Sequence, residues 1–170
     1  MSTTLNRAAT LHATLCSVAE KLASPFLLAV RVYWGWQFAQ TGLGKLRNQP
    51  RVVEFFTSLN IPFPALNAHF VSGLEFFGGI LLVLGLFSRP ISLLLTCSLF
   101  VAFWTADHDA LASIFSNPEK FYGADPYPFL LVALLILIFG PGKLSLDHLI
   151  AMRFRAYMRQ PRWGANAVAD

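Results

Sequence analysis

Two ionisable side chains, Arg31 and Glu75, lie inside long apolar stretches of the sequence. A charge among apolar side chains is costly unless it is paired or hydrated. Arg31 is roughly ten residues from the start of its stretch and Glu75 twelve from the end of its own, which is about 15 and 18 Å along a helix. Antiparallel neighbouring helices would place them at similar depth. The sequence therefore predicts a pair, either a buried salt bridge that sets helix register or a site for a ligand or proton.

Aromatic and amide side chains follow Arg31 along the same stretch. On a helix, Arg31 shares one face with Trp34 and Phe38. A cation beside aromatic rings and amide donors is a suitable environment for a quinone headgroup, although an aromatic stripe also serves helix packing or lipid contact. We assign a catalytic role to Glu75 and Arg31, and cofactor binding to Trp34, Gln37, Gln40 and Lys45.

The elements that position these residues are predicted to be membrane-spanning helices. The chain of 170 residues is 55% hydrophobic and only 13% charged, whereas soluble domains average about 25% charged residues. A run of about 17 or more apolar residues is long enough to cross hydrocarbon as a helix. Four runs qualify, at residues 22–43, 68–87, 90–106 and 126–142. We predict an all-α integral membrane protein built as a four-transmembrane-helix bundle.

The distribution of basic residues predicts the orientation of this bundle. With four spans, the side that holds both termini carries eight Lys or Arg residues and the opposite side four, so both termini are expected in the cytoplasm. Residues 1–21 are interpreted as an amphipathic or frayed cytoplasmic lead-in, residues 22–149 as the membrane domain, and residues 150–170 as a basic tail near anionic lipid. Between spans one and two, residues 49–67 are expected to contain a short interfacial helix.

The remaining reactive residue types give weaker signals. His69 and His108 could co-ligate a metal or haem with Asp107 and Asp109, but a solvated loop explains these residues better, and no metal or haem is predicted. The two cysteines are 81 positions apart and form no CxxC motif, which argues against thiol–disulfide chemistry. The net charge of +4 is attributed to membrane topology rather than to nucleic-acid binding.

Several of these residues together resemble a known family. The resemblance to the DoxX family of small four-helix bacterial membrane proteins covers residues 25–149. It is carried by Arg31 with Trp34-Gly35 and Phe38, TGLGKL at 41–46, Glu75 with FFGGILLVLGLFSR at 76–89, and GPGKLSLD at 140–147. Members of this family resemble subunits of membrane oxidoreductases, including a thiosulfate:quinone type, and others accompany metal-handling or peptide-modification proteins.

The resemblance implies a multi-pass protein of the bacterial inner membrane, in contact with lipid and with a protein partner in a membrane complex, or as a homo-oligomer. The expected function is a non-autonomous subunit of a quinone-linked membrane oxidoreductase, with a quinone as cofactor. The alternative is a non-catalytic assembly or anchor protein for a periplasmic metal- or peptide-handling partner. A transporter is a third option, but four spans are few for alternating access unless the chain dimerises.

Overall fold

The computed structural model describes residues 2–158, which form eight helices and no β-strand. The first helix, α1 (Ser2–Arg47), is by far the longest, with 46 residues and Pro25 in its interior. Its length is about 69 Å at 1.5 Å per residue. The predicted boundary between lead-in and span one, at residues 21 and 22, falls inside this continuous helix.

A short helix follows where the sequence predicted one. Helix α2 (Gln49–Ser58) begins after Asn48 with proline at its second position, where the missing N–H is not needed. It packs along the N-terminal half of α3 (Pro64–Leu84).

Helices α3 and α4 (Ser88–Thr105) form an antiparallel hairpin. Gly85 ends α3 with a φ of +69°, a left-handed conformation that glycine adopts without strain. The N–H groups of Gly85 and Leu86 bond back to the carbonyl oxygens of Leu82 and Leu81, which completes the helix terminus. We call this side of the bundle the Gly85 end and the opposite side the α2 end.

Two five-residue helices, α5 (His108–Ala112) and α6 (Pro118–Tyr122), lead to α7 (Pro126–Phe139). Helix α7 packs against α4 and α1. Gly140 and Gly142, both with a φ of +78°, then turn the chain into α8 (Leu146–Met158). The predicted basic tail, residues 150–170, begins within α8, and its residues 159–170 lie outside the described part of the chain.

Within residues 2–158, three helices are long and apolar enough to cross a membrane: α1 over Ala9–Arg47, α3 and α4. Helix α7 is also apolar but has only 14 residues, about 21 Å. The all-helical membrane architecture predicted from sequence is confirmed at this level. Many large apolar side chains on these helices, such as Trp36, Phe77 and Phe100, point outward and are exposed, as expected for contact with lipid.

Glycines set the distance between α1 and its neighbour. A Cβ atom on Gly35 would lie 2.9 Å from the carbonyl oxygen of Gly79, and one on Gly42 would collide with the backbone nitrogen of Phe76. Helices therefore approach closely here because side chains are absent. The core between α1, α3, α4 and α7 is filled by Phe38, Leu82, Leu95, Leu99, Phe103 and Ile136.

Candidate functional site

Glu75 forms a salt bridge with Lys45. Lys45 Nζ lies 2.6 Å from Glu75 Oε1, and the two residues belong to α1 and α3. Glu75 is only 7% exposed, and its second oxygen, Oε2, is buried without a hydrogen-bond partner in the protein. A carboxylate in this position has one oxygen neutralised by a cation and one still able to accept a proton or a hydrogen bond.

The close contact at Gly42 explains why these two residues meet. Gly42 brings the backbone of α1 against Glu75 and Phe76, and Lys45 lies three residues further along the same helix face. Because α1 ends at Arg47, Lys45 lies near the end of α1. Its side chain extends over Glu75 and stays partly exposed.

Two residues missed by the sequence interpretation extend this polar group. Gln49 Nε2 donates to Ser72 Oγ at 2.9 Å, and Ser72 Oγ donates to the carbonyl oxygen of Ala68 at 2.6 Å. Ser72 precedes Glu75 by three residues on the same face of α3, and that spacing is the signal that could have identified it. We call Lys45, Gln49, Ser72 and Glu75 the polar cluster.

A cavity of about 630 Å³ lies beside the polar cluster. Lys45 and Glu75 form part of its wall, and Arg51 adds a further charge. Apolar side chains make most of the remainder, contributed by α2 and its C-cap residue (Val52, Phe55, Phe56, Leu59), α3 (Phe70, Val71) and α4 (Leu94, Leu99, Val101). The cavity is therefore an apolar space with one charged corner, a combination that suits an amphipathic small molecule.

Arg31 lies elsewhere, and the predicted Arg31–Glu75 pair is wrong. Arg31 is fully buried at the Gly85 end, where its Nη2 donates a 2.6 Å hydrogen bond to the carbonyl oxygen of Leu144. A Cβ atom on Gly85 would collide with Arg31 Nη1. Glu75 precedes Gly85 by ten residues on α3, so the two charges are about 15 Å apart along the bundle.

The physical reason is the register of α1 on α3. The prediction assumed that span one starts near residue 22, but α1 continues to Ser2 and has no end there. The glycine contacts decide the register instead, since Gly35 meets Gly79 and Val83, and Gly42 meets Glu75 and Phe76.

The other predicted cofactor-binding residues lie away from the cavity wall. Trp34 packs edge-on against Phe129 of α7, with ring centroids 5.3 Å apart. Gln37 Nε2 is 3.5 Å from the hydroxyl of Tyr33 on the same helix, and Gln40 is exposed. Of the six predicted site residues, the structure brings together only Lys45 and Glu75.

The histidines and cysteines do not gather into a further centre. Across residues 2–158, no three side chains of His, Cys, Asp or Glu are arranged to hold a metal ion. Both cysteines are exposed; Cys97 lines the cavity, and Cys16 lies on the N-terminal part of α1.

Comparison with known proteins places the chain in a family. A family model described as DoxX matches residues 26–108, which include Arg31, Lys45 and Glu75. An uncharacterized protein of Haemophilus influenzae is 32% identical over 128 residues, 73% of this chain and 82% of the relative. A Bacillus subtilis protein named "Putative oxidoreductase CatD" is 28% identical over 123 residues, 72% of this chain and 85% of the relative. No solved structure matches. The chain belongs to the DoxX family of membrane proteins.

Proposed function

We propose that this protein binds a quinone in the cavity beside the polar cluster and acts as a non-autonomous membrane subunit of a quinone-linked oxidoreductase. The observation that carries the proposal is the Lys45–Glu75 salt bridge, with a buried carboxylate, at the charged corner of an otherwise apolar cavity. The Bacillus relative, whose name contains the word oxidoreductase, supports the reaction class.

The chemistry of the cavity suits a quinone. A quinone headgroup carries two carbonyl oxygens, which accept hydrogen bonds, on a flat apolar ring with an apolar tail. The Lys45 ammonium is the donor for one carbonyl oxygen, and the phenylalanine walls contributed by α2 and α3 accommodate the ring and the beginning of the tail. The cavity volume of about 630 Å³ falls within the usual range of small-molecule sites, about 300–1,000 Å³.

Reduction of a quinone to a quinol consumes two electrons and two protons. In the proposed complex a separate protein with a redox cofactor supplies the electrons. Glu75 accepts the protons and passes them to the quinone, because its buried Oε2 has no hydrogen-bond partner in the protein. Lys45 holds the carboxylate in place through the salt bridge and orients the quinone oxygen.

The proposal includes the orientation in the bacterial inner membrane. Four crossings, with α7 as the fourth, would place the Gly85 end and both termini in the cytoplasm and the α2 end in the periplasm. Reporter fusions after Gly142 and within residues 111–119 should then report opposite sides of the membrane. The same side for both fusions would contradict this orientation.

Quinone extraction tests the function. The full chain is purified in mild detergent, extracted with organic solvent and analysed by chromatography, beside Glu75→Gln and the matched control Glu54→Gln. Glu54 is an exposed carboxylate of α2 that does not line the cavity. We expect quinone in the wild type and the control, and a roughly tenfold or greater loss in Glu75→Gln. Without the carboxylate, Lys45 is no longer held at the cavity, and its charge-assisted contact with the quinone oxygen contributes about 1.5–3 kcal/mol. Equal retention in all three proteins would remove the role of Glu75.

One observation favours a second candidate, an assembly or anchor role for a periplasmic partner. Phe115, in the segment between α5 and α6, is 95% exposed, and the two flanking helices carry the acidic residues Asp109 and Glu119. An exposed aromatic ring with charged neighbours is typical of contact surfaces. Phe115→Ser with neutralised Asp109 and Glu119 should then abolish co-purification of a partner while quinone content stays unchanged. Retained co-purification would count against this role.

A further inference from the structure

One wall of the cavity is a single face of α4 that carries no charge. Cavity-lining residues recur along this helix at intervals of three or four positions, from Leu94 to Thr105, which places them on one face. We call this face the α4 wall: Leu94, Cys97, Ser98, Val101, Ala102 and Thr105. The charged residues of the cavity, Lys45, Arg51 and Glu75, belong to other helices. A bound molecule therefore meets a charged corner on one side and an uncharged wall on the other.

The α4 wall is exposed although it lines the cavity. Leu94 is 46% exposed, Val101 is 54% exposed, and Cys97 is also exposed. On the facing helices, Phe55 of α2 and Phe70 of α3 line the cavity with exposures of 51% and 57%. Residues that line a cavity and stay exposed mark its open side. The cavity is therefore open along α4, and the residues around the opening are mostly apolar.

The open side lies at membrane depth. Helix α4 is long and apolar enough to cross the membrane over Ser88–Thr105. Leu94 is six residues from its start and Val101 four residues from its end, which is about 9 and 6 Å along the helix. This part of α4 therefore faces hydrocarbon, where an opening admits lipid-soluble molecules and disfavours polar ones.

We propose that the cavity is loaded from the hydrocarbon phase through this opening, and that the apolar tail of the bound quinone lies along the α4 wall. The position of the headgroup rests on the proposed function, with Lys45 as the donor to one carbonyl oxygen. A headgroup held at the charged corner leaves the α4 wall for the tail. Because this wall is uncharged and mostly apolar, an alkyl or isoprenoid tail is accommodated there without loss of hydrogen bonds. The ligand class is a quinone with a long apolar tail, rather than a water-soluble quinone.

Two pairs of neighbouring residues on α4 distinguish the α4 wall from the rest of the helix. Leu94 and Val101 line the cavity, whereas Leu93 and Phe100 do not, and all four are between 46% and 54% exposed. Tryptophan in place of Leu94 or Val101 fills the opening. Leu93→Trp and Phe100→Trp are the matched controls, because they place the same ring in lipid outside the cavity. A loss confined to the first pair therefore reports the α4 wall.

The measurement is the rise in Tm when a ligand is added to the full chain in detergent, with each variant compared with its own unliganded Tm. The ligands are a dimethoxy-methyl-benzoquinone with a decyl tail and the same ring with a methyl group in place of the tail. We expect the decyl quinone to raise the Tm of the wild type and both controls by several degrees. Leu94→Trp and Val101→Trp should lose most of that rise, and the methyl quinone should affect all five proteins equally.

Equal rises with the decyl quinone in all five proteins would overturn the proposal. A loss of the methyl quinone in Leu94→Trp would also overturn it, because the headgroup would then lie at the α4 wall and away from Lys45. If neither ligand raises the Tm of the wild type, the proposed function fails together with the tail position. The failure of the tail position alone is therefore distinguishable from the failure of quinone binding.

Cys97 provides a second measurement that needs no substitution. Its thiol belongs to the α4 wall, whereas Cys16 is exposed on the N-terminal part of α1 and does not line the cavity. We expect the decyl quinone to slow the labelling of Cys97 by N-ethylmaleimide several-fold and to leave the labelling of Cys16 unchanged, as measured by mass spectrometry. The methyl quinone should protect Cys97 less. Unchanged labelling of Cys97 at a decyl quinone concentration that raises the Tm would contradict the tail position.

Discussion

The guanidinium of Arg31 donates a 2.6 Å hydrogen bond to the carbonyl oxygen of Leu144, although the two residues are 113 positions apart. The segment that carries Leu144 also bonds to the α3–α4 turn, through Asp147 N–H to the carbonyl oxygen of Gly85 at 2.9 Å. Lys143 N–H reaches Ser24 Oγ of α1 at 2.9 Å. The GPGKLSLD segment therefore closes the Gly85 end of the bundle by connecting α1, α3 and α8, and Arg31 lies beneath it.

Asp147 contributes to this closure by capping a helix. Its two carboxylate oxygens accept hydrogen bonds from the N–H groups of Phe87 and Ser88, at 2.8 and 2.9 Å, where α4 begins. Asp147→Asn removes the charge that favours a helix N-terminus, and we expect a loss of about 1–2 kcal/mol in unfolding free energy. The measurement is thermal unfolding in detergent.

Asp125→Asn is the matched control for this prediction. Asp125 is the N-cap residue of α7 but makes no side-chain capping bond. Its replacement should change the Tm little. Equal effects of the two substitutions would show that the carboxylate of Asp147 does not stabilise α4.

Gly42 provides a prediction about helix docking. A Cβ atom there would collide with the backbone of Phe76, whereas nothing lies within 4 Å of a Cβ on Gly44. Gly42→Ala should separate α1 from α3, lower the Tm and weaken the Lys45–Glu75 contact. Gly44→Ala should be neutral or slightly stabilising, because alanine is favoured over glycine in a helix by about 1 kcal/mol. Similar Tm values for the two variants would show that the close approach at Gly42 contributes nothing.

These glycines also explain what the sequence could and could not predict. The apolar runs predicted the helices, and GPG at 140–142 predicted the end of α7. The partner of Glu75 depends on register, which small residues determine through contacts between helices distant in sequence. Estimating depth from the ends of the apolar runs failed because α1 does not end where its apolar run starts.

The cavity could not be predicted for a related reason. Its walls come from four helices, α1 through Lys45 together with α2, α3 and α4, and the contribution of α2 depends on how that short helix folds back along α3. Lys45 is predicted from sequence to bind the cofactor, but no sequence pattern indicates that it, rather than Arg31, pairs with Glu75. Gln49 was overlooked because its bond to Ser72 joins residues 23 positions apart.

The salt bridge itself can be examined by a double-mutant cycle of Lys45→Met and Glu75→Gln. Lys45→Met leaves a charged, 93%-buried carboxylate, as the 7% exposure of Glu75 implies, and we expect it to cost about 2–3 kcal/mol. Glu75→Gln should cost less, because the Lys45 side chain is 37% exposed and its ammonium can turn to water. The double variant should be more stable than the sum of the singles predicts, by about 1 kcal/mol or more. Additive effects on unfolding free energy would indicate that the two groups do not interact.

Substitution of Trp34 tests whether this residue serves helix packing or quinone binding. The rings of Trp34 and Phe38 on α1 both contact the ring of Phe129 on α7, with centroid distances of 5.3 and 4.7 Å. The two helices therefore share an aromatic cluster. Trp34→Ala should lower the unfolding free energy by about 1 kcal/mol or more, whereas Trp36→Ala, at a ring 61% exposed to lipid, should change it little. Both variants should retain quinone, because neither tryptophan lines the cavity. Loss of quinone from a folded Trp34→Ala protein, with retention in Trp36→Ala, would place the headgroup between α1 and α7 and away from Lys45.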